Sequence, residues 1–266
     1  MTTVAARLAA ARGEARRDVE VLLGHLLGRS RAWLYAHGEC VLTDAQTEGL
    51  DALVARRELG EPVAYLTGRR EFWGLELEVG PETLVPRPDT EILVEQCLAH
   101  IPVRGSVLDV GTGAGAVVLA VARERPDACL TATDIDPDAL AVARRNAERL
   151  GAAVEFLVAD LYDGLAGLRF DVIVSNPPYV AEHDPHLATL RFEPRRALVA
   201  GPDGLAVLRR LIAGAPDVLE PGGWLVVEHG AEQGASVRTL FAASGFSSIR
   251  SERDLAGHER VTLGTQ

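Results

Sequence analysis

An asparagine followed by two prolines and a tyrosine stands directly behind an apolar run of the chain. The run 171–175 is rich in β-branched residues, which is typical of a buried strand, and the motif Asn176-Pro177-Pro178-Tyr179 follows it. Because proline lacks an N–H donor and has a fixed φ, the strand must end before Pro177. The Asn176 side-chain oxygen and the Pro177 carbonyl then offer two acceptors on a stiff segment, which suits an NH2 group with two hydrogens to donate. A plain turn that opens on Asn-Pro is the alternative.

A second pattern, upstream, predicts a ligand-binding turn between a strand and a helix. Residues 106–110 are typical of a strand, the segment Gly111-Thr112-Gly113-Ala114-Gly115 of a tight turn, and residues 116–124 of a helix. Glycines allow the backbone to approach a ligand closely. The next predicted strand, 129–133, ends at Asp134. A carboxylate there can accept hydrogen bonds from both hydroxyls of a ribose, which indicates an adenosine-like ligand.

The charge of Asp109 favours one such ligand over another. The pattern Gly111-x-Gly113-x-x-Ala116 satisfies the loose dinucleotide fingerprint. Asp109, however, directly precedes the turn, where its carboxylate would repel a pyrophosphate. S-adenosylmethionine carries a sulfonium and an ammonium group, which the same charge attracts. Segment 109–115 also resembles the Asp-x-Gly-x-Gly-x-Gly pattern of the class I methyltransferases, so we expect S-adenosylmethionine as the cofactor and S-adenosylhomocysteine as its product.

Further segments narrow this resemblance to one family. In class I methyltransferases, Asn-Pro-Pro-Tyr after the fourth strand marks enzymes that methylate amino or amide nitrogens. The other matching segments are Glu61–Gly68, Arg70–Trp73, Pro86–Glu91, Arg191–Pro194 and Glu228–Gly230. Together they resemble the PrmC/HemK family from about residue 15 to the end of the chain. A sister family that methylates a glutamine of a ribosomal protein shares Asn-Pro-Pro-Tyr, but it usually departs from the Pro-Arg-Pro-Asp-Thr-Glu form that is intact here.

The resemblance implies an activity and a protein partner. Enzymes of the PrmC/HemK family transfer a methyl group to the side-chain amide nitrogen (N5) of the glutamine in the Gly-Gly-Gln loop of class I peptide chain release factors. It also implies that Asn176, Pro177 and Pro178 hold the acceptor amide and that Tyr179 packs against its plane. Two other functions stay open at this point. One is amino methylation of a ribosomal-protein glutamine or of adenine or cytosine in nucleic acid, and the other is a non-catalytic protein that binds S-adenosylmethionine.

The expected fold class is α/β, with the Rossmann-like sheet of a class I S-adenosylmethionine-dependent methyltransferase. Helical periodicity and a capping-box pattern at Thr43 predict a small N-terminal helical domain, and a β-hairpin follows between residues 71 and 79. Gly80 and Pro81 are expected to interrupt regular secondary structure, so we place the domain boundary there. A substrate-recognition domain would comprise residues 1–80 and a catalytic domain residues 81–266.

The C-terminal third of the chain is expected to complete the sheet. Helical patterns cover residues 204–219 and 232–244, and a strand over 223–228 follows the turn at Pro221-Gly222-Gly223. Two final strands would form an antiparallel hairpin at the edge of the sheet.

Several side chains receive individual roles. Asp134 is expected to bind the ribose, although it could merely cap a loop. Asp160 would accept from the adenine amine and Leu161 would cover the ring, but many family members carry an aromatic residue at that position and Tyr162 stands next to it. Asp109 would accept hydrogen bonds from N–H groups of the turn, and its charge would also attract the cationic methyl donor.

Arg87 is the remaining candidate for substrate binding. It stands between two prolines, so its backbone is stiff and would hold the side chain near the mouth of the site. The loop 182–196, which contains Glu193, Arg195 and Arg196, is either a solvated loop with paired charges or part of substrate recognition.

Composition excludes several other classes. The 27 cationic residues are all arginine and face 38 acidic ones, for a net charge of −11, so we do not expect direct binding to nucleic acid. The three cysteines, Cys40, Cys97 and Cys129, lack the paired spacing of a zinc site or a disulfide framework and are expected to be buried. No metal site is expected. Without a signal peptide or membrane segment, the sequence predicts a cytoplasmic protein, and we expect a monomer.

Overall fold

The computed structural model describes residues 2–266, which divide into two compact units. The first unit extends to Arg69 and the second comprises Arg70–Gln266. Among the described residues, no helix combines the length and the hydropathy needed to span a bilayer.

The first unit is helical, as predicted. Its helices are α1 (Val4–Ala10), α2 (Gly13–Leu27), α3 (Arg31–Ala36), α4 (Asp44–Glu58) and α5 (Val63–Thr67). The capping box predicted at the start of α4 is confirmed, because Thr43 and Gln46 each accept the backbone N–H of the other. Leucines of α2, α3 and α4, among them Leu22, Leu34 and Leu50, are fully buried together in a core of this unit.

A tight hairpin opens the sheet structure of the chain. Strands β1 (Arg69–Phe72) and β2 (Leu75–Glu78) are joined by Trp73 and Gly74, which both have positive φ. Phe72 and Leu77 are buried in the main core of the second unit. The backbone of Glu78 also exchanges two hydrogen bonds with the amide of Asn146, at 2.7 and 2.9 Å. The hairpin therefore belongs with the second unit, whereas the sequence placed it in an N-terminal domain that ended near Gly80.

The large sheet of the second unit has the order β5-β4-β3-β6-β7-β9-β8. Its strands are β3 (Ser106–Val110), β4 (Cys129–Asp134), β5 (Glu155–Val158), β6 (Phe170–Ser175), β7 (Leu219–Glu228), β8 (Ser247–Arg253) and β9 (Glu259–Thr265). The five neighbouring strands β5, β4, β3, β6 and β7 are parallel to one another, whereas β9 pairs antiparallel with both β7 and β8. This is the mostly parallel sheet with an antiparallel edge that the sequence predicts.

Helices cover both faces of this sheet. They are α6 (Glu91–His100), α7 (Ala116–Glu124), α8 (Pro137–Leu150), α9 (Ala206–Gly214) and α10 (Gly234–Ala243). Successive side chains of a strand point to opposite faces. Accordingly, Val107 packs in a core with α6, α7 and α8, while Leu108 packs in a second core with α9 and α10. The central strands are thus buried on both faces, which explains their apolar sequences.

Three local predictions differ from the structure. The helix predicted over 204–219 ends at Gly214, because Pro216 follows and cannot continue it, and β7 already begins at Leu219. The expected turn at Pro221-Gly222-Gly223 lies within β7, where a shift in the pairing with β6 accommodates it. Of the cysteines, Cys97 is buried, but Cys40 is only partly buried and Cys129 is exposed at the start of β4.

Candidate active site

A cavity of about 290 Å³ lies at the carboxyl ends of β3, β4, β5 and β6. Open parallel sheets place ligands at this edge, where loops and helix N-termini converge. Of the residues selected from the sequence, the lining contains Asp109, Gly111, Thr112, Gly113, Ala114, Asp134, Asp160, Leu161, Asn176, Pro177 and Pro178. Gly115, Tyr179 and Arg87 are not among the lining residues.

The glycine turn has the backbone that its sequence predicts. Gly111, Gly113 and Gly115 have φ values of 73°, 57° and 85°, a region that disfavours other residues. Gly115 caps α7, and a Cβ atom there would approach the Leu119 side chain to 3.0 Å. Gly115 therefore contributes by shaping the turn beneath the cavity.

Asp109 is buried beneath the same turn. Its Oδ2 accepts from the Thr112 hydroxyl at 2.7 Å and from the Val118 backbone N–H at 3.2 Å. Burial raises the pKa of Asp109 to about 7, against the effect of these two hydrogen bonds. A cation bound in the cavity would favour the ionised form. Asp109 thus holds the turn and also presents a carboxyl group whose charge a cationic ligand can stabilise.

Asp134 is held by backbone donors at the end of β4. Its two oxygens accept from the N–H groups of Gly113 at 2.9 Å and of Asp136 at 3.0 Å. Burial raises the pKa of Asp134. The helix cap is supplied by Asp136 instead, whose side chain accepts from the N–H of Asp138 at the start of α8. Asp134 does not cap α8, but its two hydrogen bonds hold the loop backbone after β4, so the loop-capping alternative is present in the structure and a ribose-binding role stays a prediction.

The far end of the cavity combines an ion pair with an apolar side chain. Asp160 pairs with Arg210 of α9 at 2.9 Å, and both line the cavity. Leu161 also lines it, with a φ of 55° that is uncommon for a branched residue. The neighbouring Tyr162 points elsewhere, since its hydroxyl donates to the Leu211 carbonyl at 2.9 Å. Of Leu161 and Tyr162, only Leu161 therefore lines the cavity.

The amide of Asn176 has a defined orientation. Its Nδ2 donates to the hydroxyl of Thr90 at 3.1 Å. Within residues 2–266, neither Asn176 Oδ1 nor the Pro177 carbonyl accepts a hydrogen bond. Both acceptors proposed for a substrate NH2 group are thus unused by the rest of the described chain.

Tyr179 differs from its expected placement against a substrate amide. Its ring packs with the core beneath α9 and α10, and its hydroxyl donates to Glu228 at 3.2 Å. Burial is the main reason that the pKa of Tyr179 is raised. In this structure the Tyr179 side chain packs into the protein core and anchors the end of the motif there.

Arg87 is also engaged within the protein. It forms an ion pair with Glu193, a buried residue whose carboxylate additionally accepts from the Val85 N–H at 3.0 Å. These contacts tie the proline-rich segment before α6 to the loop that follows β6. Both segments contribute to the cavity lining, through Thr90 on one side and Arg196 on the other. Arg87 and Glu193 therefore join two walls of the site.

Three residues of the site, Thr90, Arg210 and Glu228, received no role from the sequence, and Arg196 was named only within a loop whose role was left open. Thr90 and Glu228 contact the two ends of the Asn-Pro-Pro-Tyr motif, and Arg196 and Arg210 pair with Asp136 and Asp160. Thr90, Arg196 and Glu228 stand in or beside segments noted for their family resemblance, which is the signal that could have identified them. Arg210 lies within α9 in a segment without any such signal.

Comparisons with known proteins cover nearly the whole chain. Family models match at residues 1–68, the PrmC N-terminal domain, and at 88–192, the methyltransferase small domain. The release factor glutamine methyltransferase of Salmonella typhimurium is 53% identical over 253 residues, which cover 94% of this chain and 91% of that protein. The enzyme of the same name from Xylella fastidiosa is 51% identical over 270 residues, covering 99% and 98%.

Solved structures show the same fold at lower identity. A methyltransferase from Pyrococcus furiosus matches with a TM-score of 0.56 and 24% identity, over 79% of this chain and 95% of that one. The 16S rRNA N2 G1207 methyltransferase of Thermus thermophilus, solved with S-adenosylmethionine and guanosine, matches with a TM-score of 0.57 and 19% identity, over 74% and 49%. These matches confirm the Rossmann-like class I methyltransferase fold.

We expect Asp134→Ala to weaken binding of S-adenosylmethionine, because the carboxylate would no longer accept from the ribose hydroxyls. The loss should be about 1.5–3 kcal/mol per charged hydrogen bond, or roughly tenfold to hundredfold in Kd for one bond. Titration calorimetry measures this directly. Asp138→Ala is a matched control, since it removes the same charge from the exposed first turn of α8. Saturating donor should restore most of the turnover of Asp134→Ala, and failure to do so would contradict a role confined to binding.

Proposed function

The chain belongs to the PrmC/HemK family of release factor glutamine methyltransferases, and we therefore propose that it methylates the side-chain amide of the glutamine in the Gly-Gly-Gln loop of class I peptide chain release factors. The observation that carries this proposal is the state of the Asn-Pro-Pro-Tyr motif. Among residues 2–266, no hydrogen bond reaches Asn176 Oδ1 or the Pro177 carbonyl, and both stand on a rigid segment at the edge of a cavity that we expect to hold an adenosine-like ligand. An unmodified glutamine amide offers the two hydrogens that such a pair requires.

The residues of the cavity fit S-adenosylmethionine. Asp134 would accept from the ribose hydroxyls, Asp160 from the adenine amine, and Leu161 would cover the ring. The turn Gly111–Gly115 would lie along the methionine part, with Asp109 attracting its cationic groups. When bound, this cofactor supplies an electrophilic methyl group on a positively charged sulfur.

Positioning of the acceptor carries most of the catalysis that the protein can provide. An amide nitrogen is a weak nucleophile because its lone pair is delocalised into the carbonyl, so the bound geometry must favour attack. Asn176 Oδ1 and the Pro177 carbonyl would accept the two amide hydrogens and direct the nitrogen toward the methyl group. As the N–C bond forms, positive charge develops on the nitrogen and both hydrogen bonds strengthen, which stabilises the transition state more than the ground state. The bond from sulfur to the methyl group would break as the N–C bond forms, leaving neutral S-adenosylhomocysteine, and the nitrogen would then lose one of its two original hydrogens to water as a proton.

The acidic surface argues against nucleic acid as the acceptor. The chain has a net charge of −11 and no lysine, whereas proteins that bind nucleic acid release counterions through clustered cations. Similarity to an rRNA methyltransferase is at 19% identity and concerns the fold. The decisive experiment presents purified release factor, ribosomal protein and nucleic acid side by side with labelled S-adenosylmethionine. We expect label in the release factor, and transfer only to either of the other acceptors would overturn the proposal.

Asn176→Ala should abolish transfer while leaving the Kd for S-adenosylmethionine within about tenfold of wild type. The substitution removes an acceptor contact that strengthens in the transition state, whose loss typically costs roughly 100-fold to 1000-fold in kcat. Turnover with release factor measures the first effect, and calorimetry with the donor provides the control for an intact cavity. Near-normal turnover would exclude the role assigned to Asn176.

We further propose that the N-terminal helical unit recognises the release factor and contributes little to donor binding. Within the described residues, every lining residue of the cavity lies in the second unit. The first unit has its own buried core and matches the family model of the PrmC N-terminal domain. A flexible loop with one glutamine cannot alone provide the ordered interface of a specific protein substrate. Because release factors act in translation, this assignment also implies a cytoplasmic enzyme.

Two truncations test this division. A chain that begins at Arg70 should fold and bind donor but lose most of its activity on intact release factor. A chain that begins at Pro81 should also be less stable, because it lacks the buried side chains of Phe72 and Leu77. In other proteins, replacing one buried leucine or phenylalanine by alanine lowers the free energy of unfolding by about 2–5 kcal/mol. Thermal unfolding, donor calorimetry and methylation of full-length release factor separate these effects. Unchanged methylation by the chain that begins at Arg70 would move recognition into the second unit.

A further inference from the structure

One buried carboxylate in the loop after β6 holds the chain segment that precedes α6. Glu193 lies between β6 and α9 and is 7% exposed. Its Oε2 accepts from the backbone N–H of Val85 at 3.0 Å, and its Oε1 pairs with the guanidinium of Arg87. These partners lie 108 and 106 positions away in the sequence. Glu193 therefore holds the distant segment on both sides of Pro86.

The segment held by Glu193 is stiff. Among the described residues between β2 and α6, the only regular element is a 3₁₀ turn over Pro88–Thr90. Pro86 and Pro88 both have a fixed φ, so residues 86–88 resist bending. The Arg70 guanidinium adds one further contact, to the Pro86 carbonyl at 3.2 Å. A shift at Arg87 is therefore transmitted to the end of the 3₁₀ turn.

Both sides of this connection meet the acceptor motif. Thr90, the last residue of the 3₁₀ turn, accepts from Asn176 Nδ2 at 3.1 Å. On the other side, Val180 directly follows the motif, and its N–H donates to the Leu198 carbonyl at 2.8 Å, in the loop that carries Glu193. A closed ring of covalent links and hydrogen bonds thus passes through the motif, and the contacts of Glu193 close this ring.

The two connected segments also form cavity walls beside the acceptor motif. Pro86 and Thr90 line the cavity from one segment, and Arg196 and Ala197 line it from the other. None of these four residues is among those expected to bind the methyl donor. The separation of the two walls therefore bears on the space in which an acceptor side chain can meet Asn176.

We infer that Glu193 is a positioning residue that fixes these two walls relative to each other and thereby holds Asn176, and the space for the acceptor glutamine, in register with the methyl donor. This inference rests on the proposed methylation of a glutamine amide. Methyl transfer needs the amide nitrogen in a near-attack position, where an error of about 1 Å can cost roughly 100-fold in rate. Arg87 then acts through Glu193, in place of the direct substrate contact expected from the sequence.

Glu193→Gln tests this role through kcat. Glutamine has nearly the same volume, but its single side-chain oxygen cannot accept at both positions and its charge is lost. We expect kcat on release factor to fall by about tenfold to 100-fold, while the Kd for S-adenosylmethionine and the KM for release factor change little. Glu259→Gln is the matched control, since Glu259 pairs with Arg238 at 2.7 Å and Arg253 at 3.2 Å in the same unit but does not line the cavity. Equal kcat in the two variants would overturn the inference.

A double-mutant cycle separates this role from direct substrate binding by Arg87. If Arg87 acts only through Glu193, Arg87→Gln should lower kcat, and the double variant should be no slower than the slower single variant. An Arg87 that contacts the substrate would add its own loss to that of Glu193→Gln. Such additivity would contradict the inference.

Amide hydrogen exchange tests the connection without any substrate. Glu193→Ala leaves the Val85 N–H without its acceptor, so its exchange should be about tenfold faster, the scale of one hydrogen bond to a charged group. Unchanged exchange would overturn the inference whatever the substrate is. Faster exchange in the variant, together with a wild-type enzyme that does not methylate release factor, would refute the proposed function instead.

Discussion

Pro177 and Pro178 have no backbone N–H to donate, and this constraint determines where the central strand of the sheet must end. β6 lies between β3 and β7, and Ser175 at its end is buried, with its hydroxyl bonded to the Val110 carbonyl at 2.7 Å. The chain leaves the sheet at the next residue, so Asn176 stands at the edge where the ends of β3, β4 and β5 also meet. Because the parallel strands are in fixed register, the donor cavity and the acceptor motif cannot shift relative to each other without disrupting the core.

Electrostatics restrict what this cavity can hold. Asp109, Asp134, Asp136 and Asp160 are among its lining residues, and the arginines that line it pair with two of them. Burial raises the pKa of Asp109 and that of Asp134, and the charge of Arg196 only partly offsets the rise at Asp134. A pyrophosphate would add further negative charge at the glycine turn. A ligand with a sulfonium and an ammonium group instead supplies the missing positive charge, which is consistent with membership of a methyltransferase family.

The sequence predicts those parts of the molecule whose structure depends on local residues. Strand β6, the glycine turn and α7 have the bounds that their apolar periods and glycines predict. Prediction from the sequence fails where a side chain contacts a segment that is distant along the chain. Arg87 looked free to meet a substrate, but Glu193, 106 positions away, takes its guanidinium. Thr90 lies 86 positions from Asn176, and no local pattern reports that their side chains meet. The hairpin likewise joins the second unit through buried contacts of Phe72 and Leu77 that punctuation at Gly80 does not reveal.

We propose that two fixed acceptors, Asn176 Oδ1 and the Pro177 carbonyl, hold both hydrogens of one substrate amide nitrogen. A product amide has only one hydrogen left, so it cannot satisfy both acceptors, and its methyl group would press against one of them. Tandem mass spectrometry of release factor after prolonged reaction with excess S-adenosylmethionine tests this claim most directly. We expect a single methyl group, on the glutamine of the Gly-Gly-Gln loop, with no further addition at any reaction time. A dimethylated glutamine, or a methyl group on a nitrogen outside that loop, would contradict it.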